Sequence, residues 1–502
     1  MNMGDLTRQI EKILDETTDQ RLQVIVQTSP NDSRVTSLIQ AAASSIKIRR
    51  SLITARDLVP PPRGEVRARQ RSSRLLEDAS SSAFADVARS RTLADAHRHG
   101  HRALKQLMAW APSAAVDSNS KSTQAKALPM AFTASGSAVL SVGRDALHKL
   151  PTEVPNIAAV YRNQRVTLPP TVRAKGTPRA VWDNRGHTWG VARTGALACW
   201  GAYGARGKGL KIAVLDTGCD ASHPDLAGRL AGFAEFDDEG RISSQGIANA
   251  KDSDEHGTHC CGTIAGGNTS GRWIGMAPEA RILAGMVLPN GSGTEAQIMG
   301  GMQWALDQGA DIISLSLGGL RLTPDVLDNY TQMIITANLA GVPVVVAVGN
   351  EGAQTSGSPG NDYFAFTVGA TDVEDVAAGF SGGRTQIIQR SRYIDSKNLP
   401  LVYSKPDVSA PGVDILSCVP GGKHEVMSGT SMATPHVAGA MAVLLSALSG
   451  LRSVAGADRV NVLQQLLLSS VKELGEAGQN HRYGFGRIDA LRAVGFGKEL
   501  GY

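Results

Sequence analysis

Four short runs do most to limit the folds open to this chain. Lys211–Asp216 (KIAVLD), Ile282–Leu288 (ILAGMVL), Ile312–Leu317 (IISLSL) and Val342–Val348 (VPVVVAV) are largely apolar and rich in β-branched residues. Helix-like stretches separate them. A strand with one face in water alternates polar and apolar residues, whereas a strand covered on both faces does not. The runs therefore predict an α/β fold, a parallel sheet covered by helices on both faces. In such sheets the functional groups gather beyond the carboxyl ends of the strands. The polar residues that close the runs are the ones to inspect.

Asp216 closes the first run, and Thr217-Gly218 turns the chain at once. It either orders that turn or serves chemistry. His256 opens HGTHCCGTIAG, whose small residues let a helix pack closely beneath an imidazole. His256 and His259 together suggest a metal, but no carboxylate third ligand stands at a familiar spacing. Asn350 closes VVVAVGN, where its amide either satisfies a turn or aims a donor at an oxyanion. The stretch SGTSMATPHVAGA, Ser428–Ala440, reads as a tight turn feeding a buried helix. Ser431 stands at that helix mouth, beside unpaired N–H donors and the positive end of the dipole. Pro435 withholds the N–H that would bond the Ser431 carbonyl. Gly429 lets a substrate backbone approach. An alcohol needs a base to take its proton, and an imidazole base needs a carboxylate to orient it. Asp, His and Ser are present in that order.

Five segments together, AVLDTGCDASHPDL, HGTHCCGTIAG, SLSLGG, VGNEG and GTSMATPHVAG, resemble the subtilisin-like serine peptidases (subtilases, peptidase family S8). The resemblance runs from about Trp189 to Val494 and includes NHRYGFGRIDALRAV near the end. The order Asp, His, Ser is that of subtilisin. The resemblance implies a serine endopeptidase with Ser431 as nucleophile, His256 as general base and then acid, and Asp216 as the orienting carboxylate. The Asn350 side chain and the Ser431 N–H would form the oxyanion hole. For the substrate it implies one edge at Ser316, Leu317 and Gly318 and an opposite rim at Leu288, Gly291, Ser292 and Gly293. Ala347, Val348 and Gly349 would supply the second wall of the primary specificity pocket. These walls are small or apolar, which favours a large uncharged side chain before the cut. Glu295, at the rim of a more distant subsite, and Asp252, Asp254 and Glu255 allow a secondary preference for basic residues; solvated acids are the equal alternative.

The resemblance requires no organic cofactor. Asp225 matches a residue that binds calcium in some relatives, but the companion loop Gly267–Trp273 puts Thr269 where those relatives have Asn. Calcium therefore stays an optional structural ion and the metal ligands stay unknown. Cys260 stands four residues from His256, as in the thiol-containing branch of the family.

The rest of the chain changes character twice. Residues 1–45 and 128–168 are expected to form a small α+β module that resembles the family's propeptides, carried by LQVIVQT, SAVLSV and IAAVYRNQRV. Strands are expected at Leu22–Thr28, Ala138–Val142 and Ile157–Tyr161, and helices at Arg144–Leu150 and around Val35, Leu38 and Ile39. Residues 46–127 are Arg-, Ser- and Ala-rich with weak periodicity, which predicts helical pieces with mobile joints. Residues 169–188 read as a linker and 189–502 as the peptidase domain. The resemblance places self-cleavage between about Val166 and Trp189. An extra polar segment between Phe380 and Lys405 is expected to be a surface loop.

The partners implied are protein or peptide substrates and the chain's own N-terminal region, as chaperone or inhibitor. A net charge of +5 over 502 residues selects no partner class. The basic region lacks interleaved aromatics, which argues against nucleic acid. No run of about 18 apolar residues argues for a membrane. The N-terminus lacks a secretory apolar core and the five cysteines fit no disulfide or zinc spacing, so a cytoplasmic setting is expected, with signal-independent export as the alternative. A second reading of the chain is a binding or scaffold protein whose peptidase domain processes only itself, or waits for a partner.

Overall fold

The computed structural model describes residues 3–29, 80–114, 129–173 and 186–502. Helix α1 (Met3–Asp15), strand β1 (Arg21–Thr28) and helix α2 (Ser80–Ala114) come first. Strands β2 (Met130–Phe132) and β3 (Ser137–Gly143), helix α3 (Arg144–Glu153) and strand β4 (Ile157–Arg162) follow. The strands form an antiparallel sheet of order β2-β3-β1-β4. Both faces of β1 are covered, and its successive side chains point opposite ways. Leu22, Val24 and Val26 join Leu6, Ile10, Leu104, Leu107 and Leu147 in one core. Ile25 joins a second core that lies mostly in the larger part of the chain.

Helix α2 is one continuous element of 35 residues, not the short pieces its sequence predicts. Leu104, Leu107 and Ala111 fix its C-terminal half to the small sheet. Arg89, nearer its start, bonds Asp311 at 2.9 Å. The pattern at Val35, Leu38 and Ile39, and residues 46–79 and 115–127, lie outside the described residues.

Two short strands, β5 (Arg165–Thr167) and β6 (Val172–Arg173), precede helices α4 (Trp189–Arg193) and α5 (Ala196–Tyr203). The large sheet then begins with β7 (Lys211–Asp216), β8 (Leu230–Phe236), β9 (Ile242–Gln245), helix α6 (His256–Ala265) and β10 (Arg281–Met286). It continues through β11 (Ser292–Thr294), α7 (Glu295–Asp307), β12 (Ile312–Leu315), β13 (Gly319–Arg321), α8 (Thr331–Leu339) and β14 (Val344–Ala347). Next come β15 (Ser356–Ser358), β16 (Phe366–Thr371), β17 (Arg384–Ile388), β18 (Leu401–Lys405) and β19 (Val408–Pro411). The hairpin β20 (Ile415–Val419) and β21 (Lys423–Ser428) leads into α9 (Thr430–Ala447), followed by α10 (Ser449–Arg452), α11 (Gly456–Leu468) and α12 (Ala490–Glu499).

Eight of these strands make one sheet of order β19-β16-β14-β12-β7-β10-β8-β9, parallel except at edge strand β9. The four apolar runs are its adjacent central strands β14, β12, β7 and β10. Ile212 and Val214 face the core that holds α6 and α9, whereas Ala213 and Leu215 face the core that holds α7 and α8. Helices on both faces explain why the runs do not alternate. Helix α9 is buried for nearly its whole length, as expected for a helix apolar all round. No helix among the described residues is long and apolar enough to cross a membrane.

The segment expected as a surface loop between Phe380 and Lys405 contains the β17–β18 hairpin. Arg392, between its strands, bonds Asp328 and the Gln27 side chain of β1. The insertion therefore grips the small module. Polar composition alone could not distinguish a free loop from this clasp.

Close approach at the strand ends depends on glycine. A Cβ at Gly257, in the first turn of α6, would sit 2.2 Å from the Gly218 carbonyl oxygen. Gly257→Ala is expected to lower stability by about 1–3 kcal/mol. Gly201→Ala, in α5 with open space around it, should stabilise by up to about 1 kcal/mol. Denaturant unfolding of the two variants tests the contrast.

Candidate active site

Parallel strands bring their carboxyl ends to one side of the sheet, and there the candidate residues meet. Asp216 ends β7, Ser316 and Leu317 follow β12, Asn350 lies three residues beyond β14, and Leu288 lies two beyond β10. Asp216 is buried; its Oδ1 accepts the Thr217 N–H and faces His256 Nδ1, both at 2.8 Å. His256 is the first residue of α6, and Asp252 secures that helix start. The Asp252 carboxylate accepts from Thr217 Oγ1, the Thr258 N–H and the Glu255 N–H. Asp252 is thus committed to the turn, which leaves little of it to read a substrate. His259, also buried, faces the Ile415 carbonyl at 3.0 Å, and burial depresses its pKa to about 3. It is a neutral packing residue, not a partner of His256 on a metal.

Ser431 lies in the first turn of α9, after Gly429. With no N–H on Pro435 to meet it, the Ser431 carbonyl accepts the Ser316 hydroxyl at 2.9 Å and lies 3.6 Å from Cys260 Sγ. Ser431 Oγ donates to the Ser316 carbonyl at 3.1 Å, while buried His256 Nε2 has no hydrogen-bond partner. A rotation about χ1 of Ser431 would be needed to bring the hydroxyl to the imidazole. Asn350 is oriented by Thr430, whose N–H and Oγ1 both donate to Asn350 Oδ1 at 2.8 Å. The Asn350 NH2 is thereby turned into the cleft. A Cβ on Gly429 would come within 3.1 Å of that nitrogen.

The cleft holds the chain's own segment 165–173. Strand β5 pairs antiparallel with β11, Gly293 opposite Val166, and the Leu168 N–H donates to the Gly291 carbonyl at 2.9 Å. The Pro170 carbonyl then accepts from Asn350 Nδ2 at 2.9 Å, and β6 pairs with Met427 and Ser428. Pro169 and Pro170 have no N–H to offer, so the ladder bonds lie on either side of them, at the Gly291–Thr294 rim and at β21. Ser316 on the opposite edge is engaged with Ser431, and Leu317 is buried in the core shared with the small module. Ala347, Val348 and Gly349 lead straight into Asn350, and the Gly349 N–H donates to Thr430 Oγ1.

A family model, that of the Subtilase family of S8 peptidases, matches residues 207–486. An intracellular serine protease of Paenibacillus polymyxa is 40% identical over 51% of this chain and 72% of its own length. The major intracellular serine protease of Bacillus subtilis is 38% identical over 49% of this chain and 71% of its own. Serine protease AprX of the same organism is 35% identical over 60% of this chain and 67% of its own.

The chain belongs to the subtilase family. It is a subtilisin-like serine endopeptidase, and the fold expected from the apolar runs is the fold of that family.

In this subtilase the calcium expectation does not suit the residues around Asp225. Its Oδ1 accepts the Ser270 N–H at 3.3 Å and its Oδ2 lies 2.8 Å from His424 Nε2, with His223 and Cys418 beside them. Calcium takes oxygen ligands; imidazole and thiol neighbours do not fit it. Two features escaped the sequence reading. One is the seating of Pro170 on Asn350, although the sequence-based cleavage window included it. The other is this His-Asp-Cys-His cluster. Its only sequence trace is Cys418-Val-Pro-Gly-Gly-Lys-His424, a hairpin that sets cysteine opposite histidine.

Glu295, expected at a subsite rim, is buried here. Its N–H donates to the Gln164 carbonyl and its carboxyl accepts from Asn329 Nδ2 at 2.8 Å. Burial raises its pKa to about 7 in spite of Asn329 and Arg321. The folded chain therefore holds a proton that the unfolded chain gives up at about 4.3. Stability should fall as pH rises from about 4.5 to 7, because the folded state binds more protons in that window. Glu295→Gln should remove that part of the slope, on the order of 1–3 kcal/mol. Unfolding of a Ser431→Ala chain across this pH range tests it, and an unchanged slope would exclude Glu295 as its source.

Proposed function

We propose that this endopeptidase works through an acyl-enzyme on Ser431. Ser431 Oγ attacks the peptide carbonyl carbon as His256 Nε2 takes the hydroxyl proton. Asn350 Nδ2 and the Ser431 N–H donate to the oxyanion that forms. The tetrahedral intermediate then expels the amine, which leaves with the proton from His256. Water, deprotonated by the same imidazole, releases the acid and restores Ser431. Asp216 holds His256 by Nδ1 and stabilises its charged form. The peptide lies extended along Gly291–Thr294, with the side chain before the cut between Ser316–Gly318 and Ala347–Gly349.

The observation that carries this reading is the Pro170 carbonyl on Asn350 Nδ2. A peptide carbonyl at that donor, flanked by strand pairing on both sides, is how a substrate would lie. The same observation supports a zymogen in which the N-terminal module, residues 1–45 and 128–168 with the inserted α2, templates and blocks the peptidase. The bond in register for self-cleavage is Pro170–Thr171. A second reading draws on the turned-away Ser431 hydroxyl: the covered site stays closed until a partner withdraws the segment. An intracellular setting is part of the proposal, supported by the names of two relatives and by five cysteines that are all buried and unpaired.

Intact mass and fluorophosphonate labelling of wild type against Ser431→Ala test the reading. Wild type should label and lose the N-terminal residues up to Pro170, and Ser431→Ala should do neither. Labelling without shortening would make the module a regulator only. No labelling of folded wild type would favour the partner-gated reading.

His256 supplies a second test. Burial disfavours its charged form, but the Asp216 carboxylate at 2.8 Å outweighs burial and holds its pKa well above the ordinary value. Cys260 adds little charge, because burial raises its own thiol and keeps it neutral. A base must be neutral, so kcat/KM of the activated enzyme should rise with pH along a limb above ~6.5. Asp216→Asn should move that limb toward acid and lower kcat roughly 10⁴-fold. A limb that stays in place would remove Asp216 from this role.

A further inference from the structure

We propose that His223, Asp225, Cys418 and His424 form a site for a borderline divalent transition metal, zinc by its chemistry, that staples the turn after β7 to the β20–β21 hairpin. One ligand atom from each of the four lies within 4.8 Å of every other. Tetrahedral zinc, with bonds of about 2.0–2.3 Å, needs ligand atoms roughly 3.3–3.8 Å apart. No pair therefore needs to close by more than about 1–1.5 Å, while the 2.8 Å contact between His424 Nε2 and Asp225 Oδ2 opens slightly.

The local structure explains the convergence. Cys418 and His424 are direct partners in the β20–β21 register, so their side chains share a face. Gly421 and Gly422, both at positive φ, make the turn between them. His223 and Asp225 flank Pro224, and a Cβ on Gly422 would touch the Pro224 ring at 3.4 Å. The two histidine rings meet edge to face, centroids 4.9 Å apart.

The donors are what a borderline metal selects. Two imidazoles, a carboxylate and a thiol match zinc, whereas calcium and magnesium take oxygen. His223, Asp225 and Cys418 are buried, and Cys418 belongs to an apolar core with Cys219, Leu226 and Val419. His223 Nδ1 accepts the Asp225 N–H at 3.1 Å, and its Nε2 faces the Lys423 carbonyl at 2.8 Å. One of these nitrogens binds the metal, and the other keeps its backbone partner and so orients the ring. Binding displaces the Cys418 proton to solvent, so affinity rises with pH.

The staple would brace both arms of the site. His223 stands seven residues after Asp216, and His424 seven before Ser431.

The test uses the full-length chain carrying Ser431→Ala and Cys260→Ser. The first change prevents self-cleavage, and the second removes the thiol of the other His-Asp-Cys cluster at Asp216 and His256. The chain is loaded with Zn2+ or Co2+ and dialysed, then read by metal analysis and by thiolate-to-cobalt charge-transfer absorption. One zinc per chain and a thiolate band are expected. Cys418→Ser should abolish the band. His424→Gln, at the partly exposed edge of the cluster, should keep the fold and lower zinc affinity at least roughly 10-fold. Zinc lost on dialysis, a cobalt spectrum unchanged in both variants, or preferential retention of Ca2+ would overturn the proposal.

Discussion

Asp216 is a carboxylate with no access to water. A group like that persists in a core only when hydrogen bonds and a partner replace its hydration. The Thr217 N–H and His256 Nδ1 do so at Oδ1, while Oδ2 is buried with no hydrogen-bond partner, and the rest of the site is arranged around that pairing. His256 can reach Asp216 because α6 starts directly on the Gly218 turn, where Gly257 has no side chain. Helix α6 can start there because Asp252 accepts the Glu255 and Thr258 N–H groups and Thr217 Oγ1 accepts that of Gly257. Helix α9 lies in the same core as α6, and its Pro435 frees the Ser431 carbonyl to accept Ser316 and approach Cys260. Each contact constrains the next, and what still has to turn is the Ser431 hydroxyl, which is bonded to the Ser316 carbonyl and not to His256.

Legibility in the sequence followed the range of the contacts. The central strands could be read because burial on both faces is a local property of each run, and the strand ends pointed to Asp216 and Asn350. The order of the catalytic residues could be read because each stands in a motif whose small residues have a local packing reason. Helix α2 could not, since only a few of its residues touch the small sheet and its periodicity is correspondingly weak. The β17–β18 hairpin could not, since what marks it is Arg392 reaching Gln27, 365 residues away. The His223–Asp225–Cys418–His424 cluster brings together residues about 200 positions apart, and cysteine spacing alone spoke against a zinc site.

The small module is held to the peptidase part in two different ways, and their strengths differ. Segment 165–173 lies in the cleft by a handful of hydrogen bonds, each worth ~1 kcal/mol net. The module itself shares a core with α7 and α8, where Ile25, Phe132, Val139 and Val166 are buried. Burial of side chains this large is worth about 1.5–3 kcal/mol each. Arg89 on Asp311 and Arg392 on Gln27 add polar ties between the two parts.

This difference orders the steps of activation under the zymogen reading. Cutting Pro170–Thr171 leaves the shared core intact, so the acyl-side strand gains freedom only beyond Val166. The leaving side, paired through β6 with the strand that runs into Ser431, is free to withdraw first. Cleavage would therefore uncover the leaving-group half of the cleft while the module stays docked. Full opening would then wait on loss of the shared core, which a second cut within the module or an exchange of its apolar face onto another surface would bring about.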